Sequence, residues 1–354
     1  MADVDTSIAL QEQVKQHFAD KQPLQIQAGG SKAFYGRRCE GTPLDVSTHR
    51  GVIHYEPTEL VITARCGTPL AELQTTLATH QQMLAFEPPA FAESATLGGC
   101  VASGISGPRR PFSGSVRDFV LGVSIINGQG EQAKFGGEVM KNVAGYDVSR
   151  LMVGSCGTLG VILDVSLKVL PMPETELTLS YELTERAAIT RMSKYCNQAL
   201  PVSATCFDGN RLYLRLSGTA AGVKAARILL GGEPLDNADE FWQKIREQTH
   251  TFFASQKPLW RLSLAPAAAP IDIEGKQLIE WRGAQRWLLS DVPASKIREK
   301  VQSEGGHATL FRRGNRDDDI FQPLQGKLRE LHMDIKLAMD PHCIFNVGRM
   351  YSDF

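Results

Sequence analysis

Glycine recurs with small hydroxyl residues in three places along the chain. These are Ala28-Gly29-Gly30-Ser31-Lys32, then Thr96-Leu97-Gly98-Gly99 with Ser103, Gly104 and Gly107 behind it, and Gly154-Ser155-Cys156-Gly157-Thr158-Leu159-Gly160. Glycines at that density let backbone amides approach a ligand closely, and closely set amides suit a pyrophosphate. Two adjacent phosphates need several amide and hydroxyl donors, and a hydrogen bond to a charged group contributes roughly 1.5–3 kcal/mol. Chain direction separates these clusters from the common phosphate motifs. A dinucleotide-binding or P-loop motif leads from a strand into a helix, whereas the third cluster leads into the alternating run Val161-Ile162-Leu163-Asp164-Val165. In the first cluster, the second glycine and the Lys-[Ser/Thr] pair are not spaced as in a Walker A loop. The middle cluster is too poor in large apolar side chains to read as core. Arg109 and Arg110 beside it either add charge to a binding site or are solvated at tight turns; the other two clusters favour binding.

Composition narrows the function classes. The 354 residues are 42% hydrophobic and 22% charged, with a formal net charge of -1. That balance argues against a nucleic-acid binder, which carries a basic excess. No stretch approaches the roughly 18 uninterrupted apolar residues of a membrane span, and the start Met1-Ala2-Asp3-Val4-Asp5 is acidic rather than signal-like. The expectation is a cytoplasmic protein whose membrane contact, if any, is peripheral and indirect. The cysteines (Cys39, Cys66, Cys100, Cys156, Cys196, Cys206 and Cys343) are scattered without a C-x-x-C. That pattern suggests reduced thiols and excludes the usual local iron–sulfur and zinc spacings. No histidine lies two to four residues from another, so no metal is expected.

These residues need elements to position them. A helix reads over Ser7 to Asp20, with Leu10, Val14 and Phe18 on one face. Leu24 to Ala28 alternates as a strand and delivers the first glycine loop. Further strands pass through Leu44 to Val46 and Leu60 to Ala64, and Thr68-Pro69 opens a helix as N-cap and first-turn proline. A strand over Phe119 to Ile126 turns at Asn127-Gly128-Gln129-Gly130 and returns at Ala133. A short helix is expected around Val148 to Val153, and Pro171 and Pro173 mark the best boundary. The expected division is residues 1–171 and 172–354. In the second part, strands alternate with helices, and Asp208-Gly209-Asn210 turns a hairpin. Helices are expected on one face of an antiparallel sheet, an α+β domain of ferredoxin-like character. Leu324, Leu328, Leu331 and Ile335 mark a last amphipathic helix before the tail at 340–350.

Taken together, the motifs identify a family resemblance. The glycine loop after the first strand, Ala95-Thr96-Leu97-Gly98-Gly99, and Gly154-Ser155-x-Gly157-Thr158-Leu159-Gly160 before a strand resemble the FAD-binding domain of the vanillyl-alcohol oxidase (PCMH) type. The ending Asp340-Pro341-x-x-Ile344-Phe345-Asn346-x-Gly348-Arg349 is similar to that family's C-terminal signature. Gly107-Pro108-Arg109-Arg110, Arg117-Asp118-Phe119-Val120-Leu121-Gly122 and Lys141-Asn142-Val143-Ala144-Gly145-Tyr146-Asp147 narrow the resemblance to the second flavin-binding subunits of bacterial glycolate oxidases. The resemblance implies an α+β chain with a two-part FAD-binding domain and a C-terminal cap domain whose tail returns to the flavin.

The resemblance also implies where FAD lies. Its pyrophosphate is expected against Gly29, Gly30, Ser31 and Lys32 and against Gly98 and Gly99. Adenine and ribose are expected near Ser103, Gly104 and the run Gly157 to Ile162, and the isoalloxazine near Asn346 and Gly348. Ala28, Pro88, Thr96, Leu97, Gly107, Arg109, Gly154, Ser155, Thr158 and Gly160 complete the candidate set. The glycine loop holds no histidine, which implies non-covalent FAD. Implied partners are a homologous catalytic flavin subunit and an iron–sulfur subunit, with glycolate oxidised to glyoxylate.

The departures matter as well. Cys156 stands where 2-hydroxy-acid-oxidising relatives generally carry an acidic residue, and reads as a small buried thiol. A His-x-His cluster is missing, and His307 reads as a strand-end residue rather than a base. Nothing in the C-terminal half offers an obvious base for a 2-hydroxy acid. A stand-alone D-lactate-like dehydrogenase and a non-catalytic assembly subunit are the alternatives.

Overall fold

The computed structural model describes residues 3–137 and 146–353. Of the distinctive stretch Lys141 to Asp147, only Tyr146 and Asp147 fall within that range; the rest lies outside the described residues. The chain opens with α1 (Ser7–Asp20), which buries Leu10 and Val14 and stacks Phe18 on His342 at 4.3 Å. β1 (Leu24–Gln27) pairs in parallel with β2 (Thr42–Asp45). Then come β3 (Val52–Glu56), β4 (Val61–Arg65), α2 (Leu70–Ala78), β5 (Gln82–Met83) and α3 (Leu97–Ser103). The short helices α4 (Arg110–Ser113) and α5 (Val116–Phe119) lead into β6 (Val120–Ile126) and β7 (Gln132–Gly136). α6 (Val148–Leu151) precedes β8 (Val161–Lys168), and β9 (Leu170–Pro171) pairs with β5. Five of these strands form an antiparallel sheet in the order β3-β4-β8-β6-β7.

The second half continues with β10 (Thr175–Glu182), α7 (Glu185–Cys196), β11 (Val202–Phe207), β12 (Arg211–Gly218), α8 (Ala220–Leu230) and β13 (Glu233–Pro234). It goes on through α9 (Ala238–Arg246), β14 (Leu259–Ser263), β15 (Lys276–Glu280), β16 (Gln285–Leu289), α10 (Ala294–Ser303), β17 (His307–Arg312) and α11 (Gly326–Met339). Eight strands form one antiparallel sheet, ordered β13-β10-β12-β11-β15-β16-β14-β17. No helix among the described residues is long and apolar enough to cross a membrane.

Four local expectations are corrected. β3 is not anticipated from sequence, because its mixed burial leaves no clean alternation to read. The cap before α2 is Pro69; the Thr68 hydroxyl turns away, donating to the Gly51 carbonyl and accepting from its amide. The middle glycine cluster is a helix, α3, and Leu97, Gly98, Cys100 and Val101 are buried in the N-terminal core. Small residues serve there because the helix comes so close to its neighbour: a Cβ on Gly98 would stand 2.7 Å from the Cys66 side chain. The helices also do not share one face of the large sheet. α7, α8 and α10 cover one face through Ile189, Val223 and Ile297, whereas α9 packs Trp242 and Ile245 on the other, with Tyr35 and Ile105 of the N-terminal half.

The tail crosses back to the beginning of the chain. Lys336 and Asp340, one turn apart at the end of α11, are both fully buried. The ammonium donates to Asp340 Oδ2 at 2.7 Å and to the carbonyls of Thr158 and Phe345 at 2.7 and 3.1 Å. The Asp340 carboxylate also accepts from the amides of Ile344 and Phe345. Ile344 and Phe345 are thereby set into the N-terminal core, and Phe345 forms a parallel bridge to Leu24, alongside β1. Removing one member of a buried pair strands the other's charge at about 3–5 kcal/mol. Asp340→Ala should therefore lower unfolding stability by about that amount in urea titrations; an unshifted midpoint would show that this pair does not hold the tail.

Candidate functional site

β1 ends at Gln27 and releases Ala28 to Lys32 along the floor of a groove. Among the described residues, none of the amides from Gly29 to Lys32 donates to another protein group. Position 29 has to be glycine, since a Cβ there would stand 1.5 Å from the Ser94 carbonyl oxygen. α3 forms the second wall, with the Thr96 side chain accepting from the Gly99 amide at 3.2 Å. Cys156, Gly157, Gly160 and Ile162 form the third. The cavity is about 180 Å³ on the Gly29–Lys32 side and continues past Gly98 and Gly99 into a recess of about 90 Å³, with Ile26, Ala28, Ala102, Cys156 and Asn346 lining both parts.

Asn346 locks the walls together. Its backbone is left-handed (φ 43°), its side-chain Nδ2 donates to the Cys156 carbonyl at 2.8 Å, and its Oδ1 accepts from the Ile26 amide at 2.8 Å. Gly157 must lack a side chain, because a Cβ would stand 2.5 Å from Asn346 Nδ2. Cys156 has a positive φ of 53° and a half-buried side chain; burial pushes its thiol up to about 11, against Arg349 and Arg261, so it is uncharged. Lys32 is buried, donates to Ser31 Oγ and the Ala90 carbonyl and lies over the Phe91 ring. Burial lowers its pKa from the ordinary lysine value, partly offset by Cys100 and Glu247.

Among the residues expected from sequence, Ala28 to Lys32, Thr96, Gly98, Gly99, Ser103, Gly157, Gly160, Ile162 and Asn346 line the groove. Leu97, Ser155 and Thr158 are buried in the protein interior. Gly104 and Gly154 pack against each other, a Cβ on Gly104 standing 3.0 Å from the Gly154 Cα. Gly348 adopts φ 74° in the tail and has open space beside it.

Arg109 is neither at the binding groove nor solvated at a turn. Its guanidinium donates to Glu87, Glu176 and Ser217, and Arg215 pairs with the same Glu87 at 2.8 Å. This network ties the two loops carrying Pro88 and Gly107, on either side of α3, to β10 and β12, away from the groove lining; Gly107 is needed because a Cβ would stand 2.2 Å from the Glu87 carbonyl oxygen. Burial opposes the ionised form of Glu87, but Arg215 and Arg109 hold its carboxyl below the usual range. Arg110 stacks its guanidinium on Trp281 at 4.3 Å. His307 is the first residue of β17, as expected of a strand end.

Residues not anticipated also line the groove: Gln25, Tyr35, Cys39 and Arg349. Arg349 donates to the carbonyls of Arg37 and Ala33, which fastens the tail to the loop after Lys32. Its place in the C-terminal motif is a signal in the sequence; Tyr35 and Cys39 carry none.

Glu280 is the least expected. It ends β15 on the face toward the N-terminal half, 3% exposed, and its Oε2 accepts from Trp287 Nε1 at 2.6 Å and Gln285 Nε2 at 3.1 Å. Burial pushes its carboxyl up to about 7, against those two donors and with the Glu87 carboxylate adding to the rise. A glutamate free of such surroundings titrates at 4.5, so the native chain binds more protons than the unfolded chain between the two values. Stability from this group is present at low pH and is lost as pH rises through about 7. Glu280→Gln should therefore be more stable than the wild type above about pH 8, by on the order of 3 kcal/mol at most, with the difference vanishing toward about pH 4. Thermal unfolding across that range measures it, and a pH-independent difference would rule this ionisation out.

Comparisons with known proteins bear on the fold and the family. The family described as FAD binding domain matches residues 3–136. Among solved structures, an alkyldihydroxyacetonephosphate synthase shares the fold with a TM-score of 0.66 at 14% identity, over 96% of this chain and 75% of that one. Glycolate oxidase subunit GlcD of Bacillus subtilis is 30% identical over 192 residues, 52% of this chain and 41% of that protein. A D-lactate dehydrogenase of Anaerostipes hadrus is 32% identical over 222 residues, 59% of this chain and 45% of that one. Glycolate oxidase subunit GlcE of Escherichia coli K12 is 51% identical over 353 residues, covering 100% of this chain and 99% of its own. With the α+β architecture and the resemblance read from the motifs, that full-length identity is decisive: the chain belongs to the family of glycolate oxidase subunit GlcE.

Proposed function

We propose that the chain is the FAD-carrying subunit of a glycolate oxidase complex, a component of a FAD-dependent oxidoreductase that converts glycolate to glyoxylate. The observation that carries this reading is the row of free amides from Gly29 to Lys32, set in a groove walled by α3, the Cys156–Ile162 segment and Asn346. A FAD pyrophosphate fits that donor set, since each amide offers an unshared proton to a phosphate oxygen. Gly98, Gly99 and Ser103 would hold the nucleotide's other side, with Gly157, Gly160, Ile162 and Asn346 at its ends. Bound there, FAD supplies two-electron acceptance from a substrate carbon and one-electron release to a partner.

The chain's own residues bind and orient. In this reading the cofactor is non-covalent: no histidine lines the groove among the described residues, and the Cys156 thiol is kept protonated by burial. The flavin part comprises residues 1–171 and the cap 172–354, with Pro171 and Pro173 between them and the tail at 340–350 crossing back. A GlcD-type flavin subunit is the catalytic partner and an iron–sulfur subunit takes the electrons, with any membrane contact made indirectly through the complex.

Gly99 gives the direct test. A Cβ there meets only the Thr96 hydroxyl, at 3.3 Å, so Gly99→Val enters the groove with little disturbance elsewhere. The purified wild-type chain should keep about one FAD per chain through gel filtration, and Gly99→Val should lose it while keeping its circular dichroism spectrum. Full FAD retention in the variant would show that the groove is not the cofactor site.

A further inference from the structure

The groove assigned to FAD is lined by charge of one sign. Among the described residues that line it, only Lys32 and Arg349 are charged, both positively; no aspartate, glutamate or histidine is among them. Neither cation is neutralised by an ion pair among the described residues. The Lys32 ammonium donates to Ser31 Oγ and the Ala90 carbonyl, both at 3.3 Å, and Arg349 donates to the carbonyls of Arg37 and Ala33 at 3.1 and 2.9 Å. These acceptors are neutral, so they satisfy hydrogen bonds and leave the charge in place. The carboxylate that acts on Lys32, Glu247, is already engaged: it accepts from the amides of Ala90 and Phe91 and pairs with Arg246 at 2.8 Å.

Further cations stand behind the lining. Arg261 donates to the Tyr35 hydroxyl at 3.1 Å, and Arg316 donates to the carbonyls of Leu310 and Phe311; neither forms an ion pair among the described residues. Burial, and then the like charge of Arg349, push the Arg316 guanidinium down to about 10. Arg349 and Arg261 also both act on the Cys156 thiol, which lines both parts of the groove. In a partly buried groove such fields are screened less than at a free surface. Two electrons taken up with one proton add one negative charge to a flavin ring, and unneutralised cations favour the state that carries it. We infer that Lys32 and Arg349 set the reduction potential of the flavin bound here, holding it above that of free FAD, so that this groove is an electron-receiving site. The inference rests on the FAD reading and deepens it, since it gives this chain's flavin a task distinct from that of the catalytic partner. In that task two electrons and one proton pass into this groove from the reduced flavin of the GlcD-type subunit, which is thereby reoxidised; no bond of a substrate forms or breaks here. Lys32 and Arg349 act through charge and position, by tuning the cofactor's electronics.

The test is the midpoint potential of the FAD-loaded full-length chain, read by absorbance during dithionite titration against an indicator dye, with bound FAD counted separately. Wild type should lie above free FAD in the same buffer. Arg349→Gln keeps a donor and loses the charge. At a fixed potential it should shift the reduced-to-oxidised ratio about tenfold toward the oxidised form, a fall of about 30 mV for a two-electron couple. Arg349→Lys should stay near the wild type. Lys32→Gln should fall likewise, and Lys32→Arg should not. Cys156 supplies an independent probe, because asparagine and aspartate both tolerate its left-handed backbone. Cys156→Asp should lower the potential and Cys156→Asn should leave it in place; this pair decides if the variants at 32 and 349 do not fold. The diphosphate carries the same charge in every variant, so differences among them report the side chains. Unchanged potentials in the Gln variants and in Cys156→Asp, with FAD retained, would overturn the inference and leave the cofactor reading standing. Weaker FAD binding at an unchanged potential would overturn it too, by assigning both cations to the diphosphate alone. A wild-type chain that binds no FAD would sink the cofactor reading and this inference with it.

Discussion

The Lys336–Asp340 pair is the constraint on which the rest of the site depends. Two opposite charges taken fully out of water carry a desolvation penalty of several kcal/mol each, and mutual attraction alone seldom offsets it. Here the offset comes from hydrogen bonds. The ammonium reaches two backbone carbonyls besides the carboxylate, and the carboxylate takes two backbone amides besides the ammonium. One of those carbonyls belongs to Thr158, in the glycine segment of the third wall. A single buried pair thus fixes α11, the tail and the loop before β8 to one another. From that anchorage the tail runs parallel beside β1: Leu24 donates to the Ile344 carbonyl and accepts from the Asn346 backbone amide, and the Asn346 side chain reaches Ile26 and Cys156.

The two halves meet through chemistry of two kinds. On one side, Glu87 is shared between Arg109 and Arg215, so a carboxylate from the N-terminal loops is held by cations from both halves. On the other, aromatic rings interleave: Phe34 and Phe91 meet Phe311 edge-on, and Arg312 lies 3.7 Å above the Phe34 ring. The polar network sets register and the aromatic cluster excludes water. Between them sit Arg261 and Glu280, in a region dry enough to hold a carboxyl partly neutral near neutral pH.

Local patterns are legible where a residue's surroundings are its sequence neighbours. Leu10, Val14 and Phe18 mark α1 to the residue, and Asp208-Gly209-Asn210 marks the hairpin between β11 and β12. The glycine loops are legible because closeness of backbone to backbone leaves a mark that only glycine can satisfy. α3 reads as a loop because its burial relies on small side chains fitting against Cys66, and small side chains carry no periodic apolar signal. Arg109, Glu280 and Lys336 are hidden for a different reason. A buried charge is defined by its partners, and Glu176, Trp287 and Thr158 come to these residues only through the fold. The family motifs locate the groove; they do not locate Tyr35 or Cys39 in its lining, which only the fold brings there.

The bond between Ile26 and Asn346 joins residues 320 positions apart. On a ribosome, β1 and the first glycine loop emerge long before the asparagine that closes the groove over them. The five-stranded sheet can assemble early, but the groove stays one wall short until α11 and the tail have been synthesised and docked. The groove is therefore completed late in the biogenesis of this chain, once Asn346 has folded back onto Ile26.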